Sequence, residues 1–187
     1  NIKALMGKPL IGWSIDAAKS ATCVDRIIVS TEDEEIASVA RKLGVDVPYM
    51  RPKELAADNT PGIAPVLHAI SQLPNFDWVL LLQPTSPLRT AEDIDGIWEF
   101  CQKRGALSAV SVCEVGNHPY WMYQYSDAQR IEPFLKGRPD ATRRQDLPPV
   151  YSLNGALYLA RTDWLLKHQS FIGSETLGYI MPTERSV

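Results

Sequence analysis

Trp78-Val-Leu-Leu-Leu-Gln-Pro-Thr-Ser-Pro-Leu-Arg-Thr90 decides how this chain is read. The apolar run from Trp78 to Leu82 predicts a strand buried on both faces, too short for a helix and flanked by polar residues. Pro84 and Pro87 then remove amide donors, so the sheet ladder stops and the following loop holds Gln83, Thr85, Ser86 and Arg89 in place for recognition. Thr90 is placed to cap the next helix, with Asp93 at capping-box spacing and Ile94, Ile97, Trp98 and Cys101 turned to the core.

Working outward from that strand, the same alternation recurs. Upstream, Pro9 opens a helix that carries Leu10, Trp13, Ile15 and Ala17 toward Ala18, and the run from Arg26 to Thr31 predicts a buried strand. Glu32 to Glu35 enrich the first turn of a second helix with the apolar face Ile36, Val39, Ala40 and Leu43, and Gly44 stops it. Val45 to Met50 predicts a short strand, and Thr60 to Leu73 a third helix whose first turn Pro61 and Pro65 make irregular. Downstream come strands at Ser108–Val115 and Gly155–Leu159, a short helix at Thr162–His168 and a last strand at Tyr179–Met181.

Strands alternating with amphipathic helices predict an α/β fold, a mainly parallel, doubly wound sheet covered on both faces. Ligands in such sheets bind beyond the carboxyl ends of the strands. That rule gathers Ser30-Thr31, Arg51 and Gln83 to Arg89 into one crevice.

Residues 117–151 have a different texture. Bulky and polar residues alternate from Trp121 to Phe134 around Ser126-Asp127-Ala128-Gln129, which predicts a hairpin. Gly137, Pro139, Pro148 and Pro149, with Arg138, Arg143 and Arg144 among them, extend it into an irregular projecting arm. Trp121, Tyr123 and Tyr125 suit either base stacking or a protein contact, and alternation in a hairpin favours the contact.

The chain has 187 residues, 45% of them hydrophobic, which suits one domain with one sizeable core. Its net charge is −3 with no long run of one sign, so neither nucleic acid nor a membrane surface is indicated as a partner. Cys23, Cys101 and Cys113 are odd in number and set in apolar surroundings, which suits free thiols in a reducing, cytoplasmic compartment. His68 and His118 read as structural.

Six words of the chain together resemble one family in order and spacing. They are Gly7-Lys-Pro-Leu10, Val29-Ser-Thr-Glu-Asp33, Arg51-Pro-Lys-Glu-Leu55, Leu81 to Arg89, Arg144-Gln-Asp-Leu-Pro148 and Asn154-Gly-Ala-Leu-Tyr158. The family is that of the N-acylneuraminate cytidylyltransferases, including members that act on legionaminic acid. The resemblance implies a nucleotide-diphospho-sugar transferase type of fold and a single nucleotidyltransferase-like domain over 1–187. It also implies that the arm 117–151 reaches a second subunit to form a homodimer.

In the family, the anomeric hydroxyl of a nonulosonic acid attacks the α-phosphorus of CTP, giving a CMP-sugar and pyrophosphate, with magnesium on the phosphates. The resemblance makes Asn1 and Arg51 nucleotide contacts. It makes Gln83, Asn154, Tyr158 and Phe171 contacts to the sugar, and Arg144 the receiver of the sugar carboxylate. A guanidinium fork matches a planar carboxylate, which suits that last role.

Departures from the family pattern qualify these expectations. The family's glycine-rich, basic phosphate loop falls before the position of Asn1, and its Asp-x-Asp magnesium pair falls after Val187. This chain, which opens on Asn1 instead of Met, is therefore expected to be a fragment that lacks part of the active site and does not catalyse the reaction by itself. Ser152, Gly62 and Ile172 also replace family residues around the pocket, which points to a nonulosonic acid other than N-acetylneuraminic acid. The alternatives are a nucleotidyltransferase for another sugar acid, or a non-catalytic remnant that binds sugar or dimerises.

Overall fold

The computed structural model describes residues 1–127, 129–137 and 143–186. Ala128 of the expected hairpin turn, Arg138 and Pro139 of the arm, and Val187 lie outside the described residues. The chain opens with a small hairpin, β1 (Ala4–Leu5) and β2 (Lys8–Pro9), closed by Met6 and Gly7. Both turn residues have positive φ, 50° and 80°, the backbone that a two-residue hairpin turn needs.

Helix α1 (Leu10–Ser20) starts directly after Pro9. Helix α2 (Glu34–Lys42) starts two residues later than its acidic turn suggested, because Asp33 caps it by accepting from the Glu35 and Ile36 amides at 2.7 and 3.1 Å. Helix α3 (Ala64–Gln72) is shorter than expected. Its late start places Pro65 in the first turn, where the missing amide breaks no helical hydrogen bond.

Strand β3 (Trp78–Leu81) and helix α4 (Ala91–Arg104) follow, α4 opened by the expected Thr90–Asp93 capping box and closed at Gly105 with φ 60°. Next come β4 (Ser108–Glu114) and the arm hairpin of β5 (Tyr123–Tyr125) and β6 (Ile131–Pro133), which pair antiparallel. The chain ends with β7 (Tyr151–Arg161), α5 (Thr162–His168) and β8 (Leu177–Ile180).

The main sheet has the order β3-β7-β4-β8. β7 pairs antiparallel with both β3 and β4, and β8 pairs parallel with β4. Three strands therefore share one direction and β7 alone opposes them. Reading the sheet as mainly parallel describes its strand directions, while two of its three ladders are antiparallel.

Alternating side chains bind a helix layer to each face. On one face Ala109 and Leu159 join Ala17 and Ala18 of α1 and Ile94, Ile97 and Cys101 of α4. On the other, Val110 and Ala160 join Val66 and Ile70 of α3 and Trp164 and Leu165 of α5. This is the two-sided covering that a doubly wound sheet requires.

The expected strands at Arg26–Thr31 and Val45–Met50 reduce to one parallel bridge between Ile28 and Asp46, with the Val29 amide donating to Asp46 O at 3.0 Å. They do not extend into a ladder. The far side of 24–32 borders a cavity of about 780 Å³, and β3 lines the same cavity.

Candidate functional site

Asn1, Ser30, Thr31, Glu32, Arg51, Gln83 and Pro84 are among the residues that line that cavity. Its walls are apolar, including Ile11, Ile15, Val66, Ile70, Val79, Leu81 and Ile94. Of the crevice expected from Ser30-Thr31, Arg51 and Gln83 to Arg89, Ser30, Thr31, Arg51, Gln83 and Pro84 line one cavity, and Thr85 to Arg89 do not.

Asn1, Glu32 and Arg51 are held by their neighbours. Asn1 O accepts from the Ile11 amide at 2.9 Å, which pins the chain start to α1. The Arg51 amide donates to Thr31 O at 2.8 Å, and the Arg51 guanidinium pairs with Glu32. That hydrogen bond holds the Glu32 carboxyl below the usual carboxylate range. Arg51 Nε is buried and has no partner among the described residues.

An irregularity in β7 brings Gly155, beside Asn154, against Gln83, while Asn154, Tyr158 and Phe171 do not line the cavity. Between the pairs Val110↔Tyr158 and Val112↔Leu153, β4 has only Ser111 while β7 has Asn154 to Leu157. The excess of β7 backbone bulges, as strands often do beside functional sites. Ser111 Oγ fills the bulge, donating to Asn154 Oδ1 at 2.5 Å and accepting from the Leu157 amide at 2.8 Å.

Gly155 sits within the bulge at φ 72°, and a Cβ there would stand 3.0 Å from Gln83 Oε1. A side chain would strain the backbone and displace the Gln83 amide. Gln83 is itself exposed, as expected for a recognition residue. The Asn154 carboxamide, in contrast, is used internally. Its Oδ1 also accepts from the Ala156 amide at 3.1 Å, and its Nδ2 donates to Ser186 Oγ at 2.9 Å.

Tyr158 pairs with Leu81 across the sheet and packs on Phe171, with ring centroids 5.6 Å apart. Phe171 is largely buried among Val66, Ile70 and Trp164. Its role here is to back Tyr158 from the core.

Arg144 lies elsewhere. Its guanidinium donates to Glu114 Oε1 at 2.9 Å, Val115 O at 2.7 Å and Gly116 O at 3.0 Å, fastening the arm to the end of β4. Glu114 pairs with Tyr151, four residues along β7 from Gly155, roughly 13 Å of extended strand. Within one chain Arg144 does not join Gln83 and Tyr158.

Two expectations for the Pro84–Arg89 loop are corrected. Gln83 and Thr85 are exposed, but Ser86 and Arg89 are each only 3% exposed and turn inward. A guanidinium at Arg89 reaches backbone acceptors beneath the loop, which hold it inside. Among the described residues no three His, Cys, Asp or Glu side chains gather as metal ligands.

His118 and His68, read as structural, both make contacts within the fold. His118 is 5% exposed, accepts from the Tyr120 amide at 3.2 Å and lies 3.1 Å from Pro148 O, so it ties the two ends of the arm together. His68 packs edge-on against Tyr49. Cys23, Cys101 and Cys113 are free, and burial pushes the Cys23 thiol up to about 12 and that of Cys101 up to about 11. No helix among the described residues is long and apolar enough to cross a membrane.

Comparison with known proteins agrees with this architecture. Among solved structures, a CMP:2-keto-3-deoxy-manno-octonic acid synthetase complexed with CTP superposes with a TM-score of 0.67 at 14% identity, covering 96% of this chain and 83% of that one. A 4-diphosphocytidyl-2C-methyl-D-erythritol synthase from Anaerococcus prevotii gives 0.63 at 11% identity, over 97% and 84%. At these identities the likeness shows the fold, which is of the nucleotide-sugar transferase type.

Sequence similarity is stronger. The CMP-N,N'-diacetyllegionaminic acid synthase of Legionella pneumophila is 35% identical over 181 residues, which are 94% of this chain and 77% of that protein. An N-acylneuraminate cytidylyltransferase of Streptococcus agalactiae is 33% identical over 190 residues, covering this whole chain but 45% of the relative. Residues 1–171 match the family model for cytidylyltransferases, and the chain belongs to that family of nucleotidyltransferase enzymes.

Proposed function

We propose that this chain takes part in the transfer of CMP from CTP to a nonulosonic acid of the sialic or legionaminic type, giving a CMP-sugar and pyrophosphate. The observation that carries the reading is that Asn1, Arg51 and Gln83 line one cavity, in a chain of this family. The sugar's anomeric oxygen forms a bond to the α-phosphorus while the bond to the departing pyrophosphate breaks. Such a transfer asks the protein chiefly for alignment and charge neutralisation.

Asn1 and Arg51 hold the nucleotide, the Arg51 guanidinium being oriented by its pairing with Glu32. Gln83 and Tyr158 face the sugar, with Asn154 and Phe171 supporting them from within. Magnesium would neutralise the phosphates, and no step here is routed through it.

Arg144 receives the sugar carboxylate. Its Nη2 already pairs with the Glu114 carboxylate, the chemistry a sugar acid would compete for. Because Arg144 stands apart from Gln83 within one chain, we place it in the sugar site of a second subunit, across an arm interface. The arm's exposed Met122, Tyr125, Ile131 and Phe134 supply an apolar surface for such a contact. The free cysteines suit a reducing cytoplasm.

Calorimetric titration tests the site. The chain should bind CTP and a nonulosonic acid, and bind a hexose phosphate far more weakly. Arg144→Ala should weaken sugar-acid binding by roughly thirtyfold while changing CTP affinity less than about twofold, since it removes one charged hydrogen-bonding fork. Equal loss for both ligands would sink the assignment. Sedimentation equilibrium tests the arm: the chain should run at twice its 20.9 kDa mass, and a monomer at micromolar concentration would refute the dimer.

A further inference from the structure

Arg89 is a buried charge that the reaction, as described, does not use. It is 3% exposed, and none of its hydrogen bonds goes to a carboxylate. Nη1 donates to Ala156 O, and Nη2 donates to Ser14 Oγ at 2.5 Å and to Gln83 O at 3.0 Å. Nε is buried with no partner among the described residues. Burial pushes its pKa down to about 10, although nearby Asp93 opposes that shift. An apolar side chain would be cheaper to bury at this position, so the stability of the core does not by itself account for a guanidinium here.

Its three acceptors belong to three segments. Ser14 is on α1, Gln83 begins the proline loop, and Ala156 lies in the bulge of β7. The Ala156 peptide is held at both ends, its amide by Asn154 and its carbonyl by Arg89. Gln83 O accepts from Arg89 and also from the Ser86 amide at 3.2 Å. The Gln83 side chain in turn lies against Gly155.

From these contacts we infer that Arg89 is a positioning residue for the sugar subsite, its guanidinium locking the Gln83 turn to the Gly155–Ala156 bulge so that Gln83 and Tyr158 face one ligand. It touches no ligand itself, and it acts on the Gln83 and Tyr158 side more than on Arg51. A planar fork that reaches three segments at once is the reason an arginine is needed; a lysine keeps the charge but not the fork. This inference rests on the sugar-binding reading above, and its test separates the two.

Arg89→Lys, Arg89→Ala and Ser14→Ala are compared with the unmodified chain by amide hydrogen exchange and by titration with CTP and a nonulosonic acid. Arg89→Lys should speed exchange of the Ser86 amide about tenfold or more while amides of α5 keep their protection. Sugar-acid affinity should fall about tenfold and CTP affinity stay within about twofold. Methylguanidinium should restore part of the sugar affinity to Arg89→Ala, which a purely structural loss would not allow. Ser14→Ala, losing one acceptor and no charge, should move the same readouts by a smaller factor.

Unchanged Ser86 exchange with unchanged sugar affinity overturns the inference, as does equal weakening of both ligands together with general loss of protection. If the unmodified chain binds no sugar acid, the functional reading fails. Ser86 exchange then still decides whether Arg89 sets the turn.

Discussion

Arg185→Ala is expected to destabilise the chain by about 3 kcal/mol at neutral pH, because it strands a buried carboxylate. Asp93 is 2% exposed and accepts from Arg185 Nε at 3.0 Å and Nη2 at 2.8 Å, and from the Thr90 amide at 3.0 Å. Burial alone would push the Asp93 pKa up. The Arg185 fork and the Thr90 amide outweigh it, and the carboxyl is held below its ordinary value of 3.8. A carboxyl whose pKa is depressed by folding lends stability that is fully present above its unfolded value and is lost as pH falls through the folded one.

The pair should therefore stabilise fully above about pH 4, and the cost of Arg185→Ala should shrink in more acid solution as Asp93 takes up a proton. Urea unfolding at pH 7 and near pH 3 would measure both. In an Asp93→Asn background the same substitution should cost under about 1 kcal/mol at either pH. A cost independent of pH and of residue 93 would show that Arg185 acts by packing alone. The pair also links the helix start after the proline loop to the end of β8's following segment, so its loss should loosen both.

Much of this was legible from local chemistry. The Thr90–Asp93 capping box, the Thr162–His168 helix and the arm hairpin follow from caps, periodicity and alternation, which act over a few residues. The crevice of Ser30-Thr31, Arg51 and Gln83 followed from the strand-end rule, which depends on element order and not on side-chain detail.

What escaped depends on contacts far apart in sequence. Arg89 looks like an exposed recognition residue until Ser14 and Ala156, 75 and 67 residues away, are seen to accept its donors. Asp93 reads as a cap, and nothing near it announces Arg185, 92 residues on. The bulge of β7 had a sequence signal that the strand pattern overrode: Asn154-Gly155 is a turn-forming pair inside an apolar run. Arg26–Thr31 has strand chemistry, yet among the described residues it forms one bridge, Ile28 with Asp46, because a ladder needs a partner along its length.

Trp164→Ala should cost about 3–5 kcal/mol, the range for deleting a large buried aromatic side chain. Trp164 is 4% exposed and packs with Val66, Ile70, Val110, Ala160, Leu165 and Phe171. Its Nε1 donates to Glu175 Oε1 at 2.5 Å, its ring stacks on His168 with centroids 4.2 Å apart, and a Cβ at Gly173 would lie 3.1 Å from it. It thus joins α5 to the loop that carries Phe171. For a chain of this size the loss corresponds to a melting temperature lower by about 10 °C, which circular dichroism would read without interference from the remaining tryptophans. Trp164→Phe keeps most of the apolar contact and removes the hydrogen bond to Glu175, so it should cost about 1–2 kcal/mol. Since Phe171 backs Tyr158, the Ala variant should also weaken sugar-acid binding while leaving the Arg51 side of the cavity intact. A loss under about 1 kcal/mol for Trp164→Ala would mean that the Phe171 loop is held by something other than this packing.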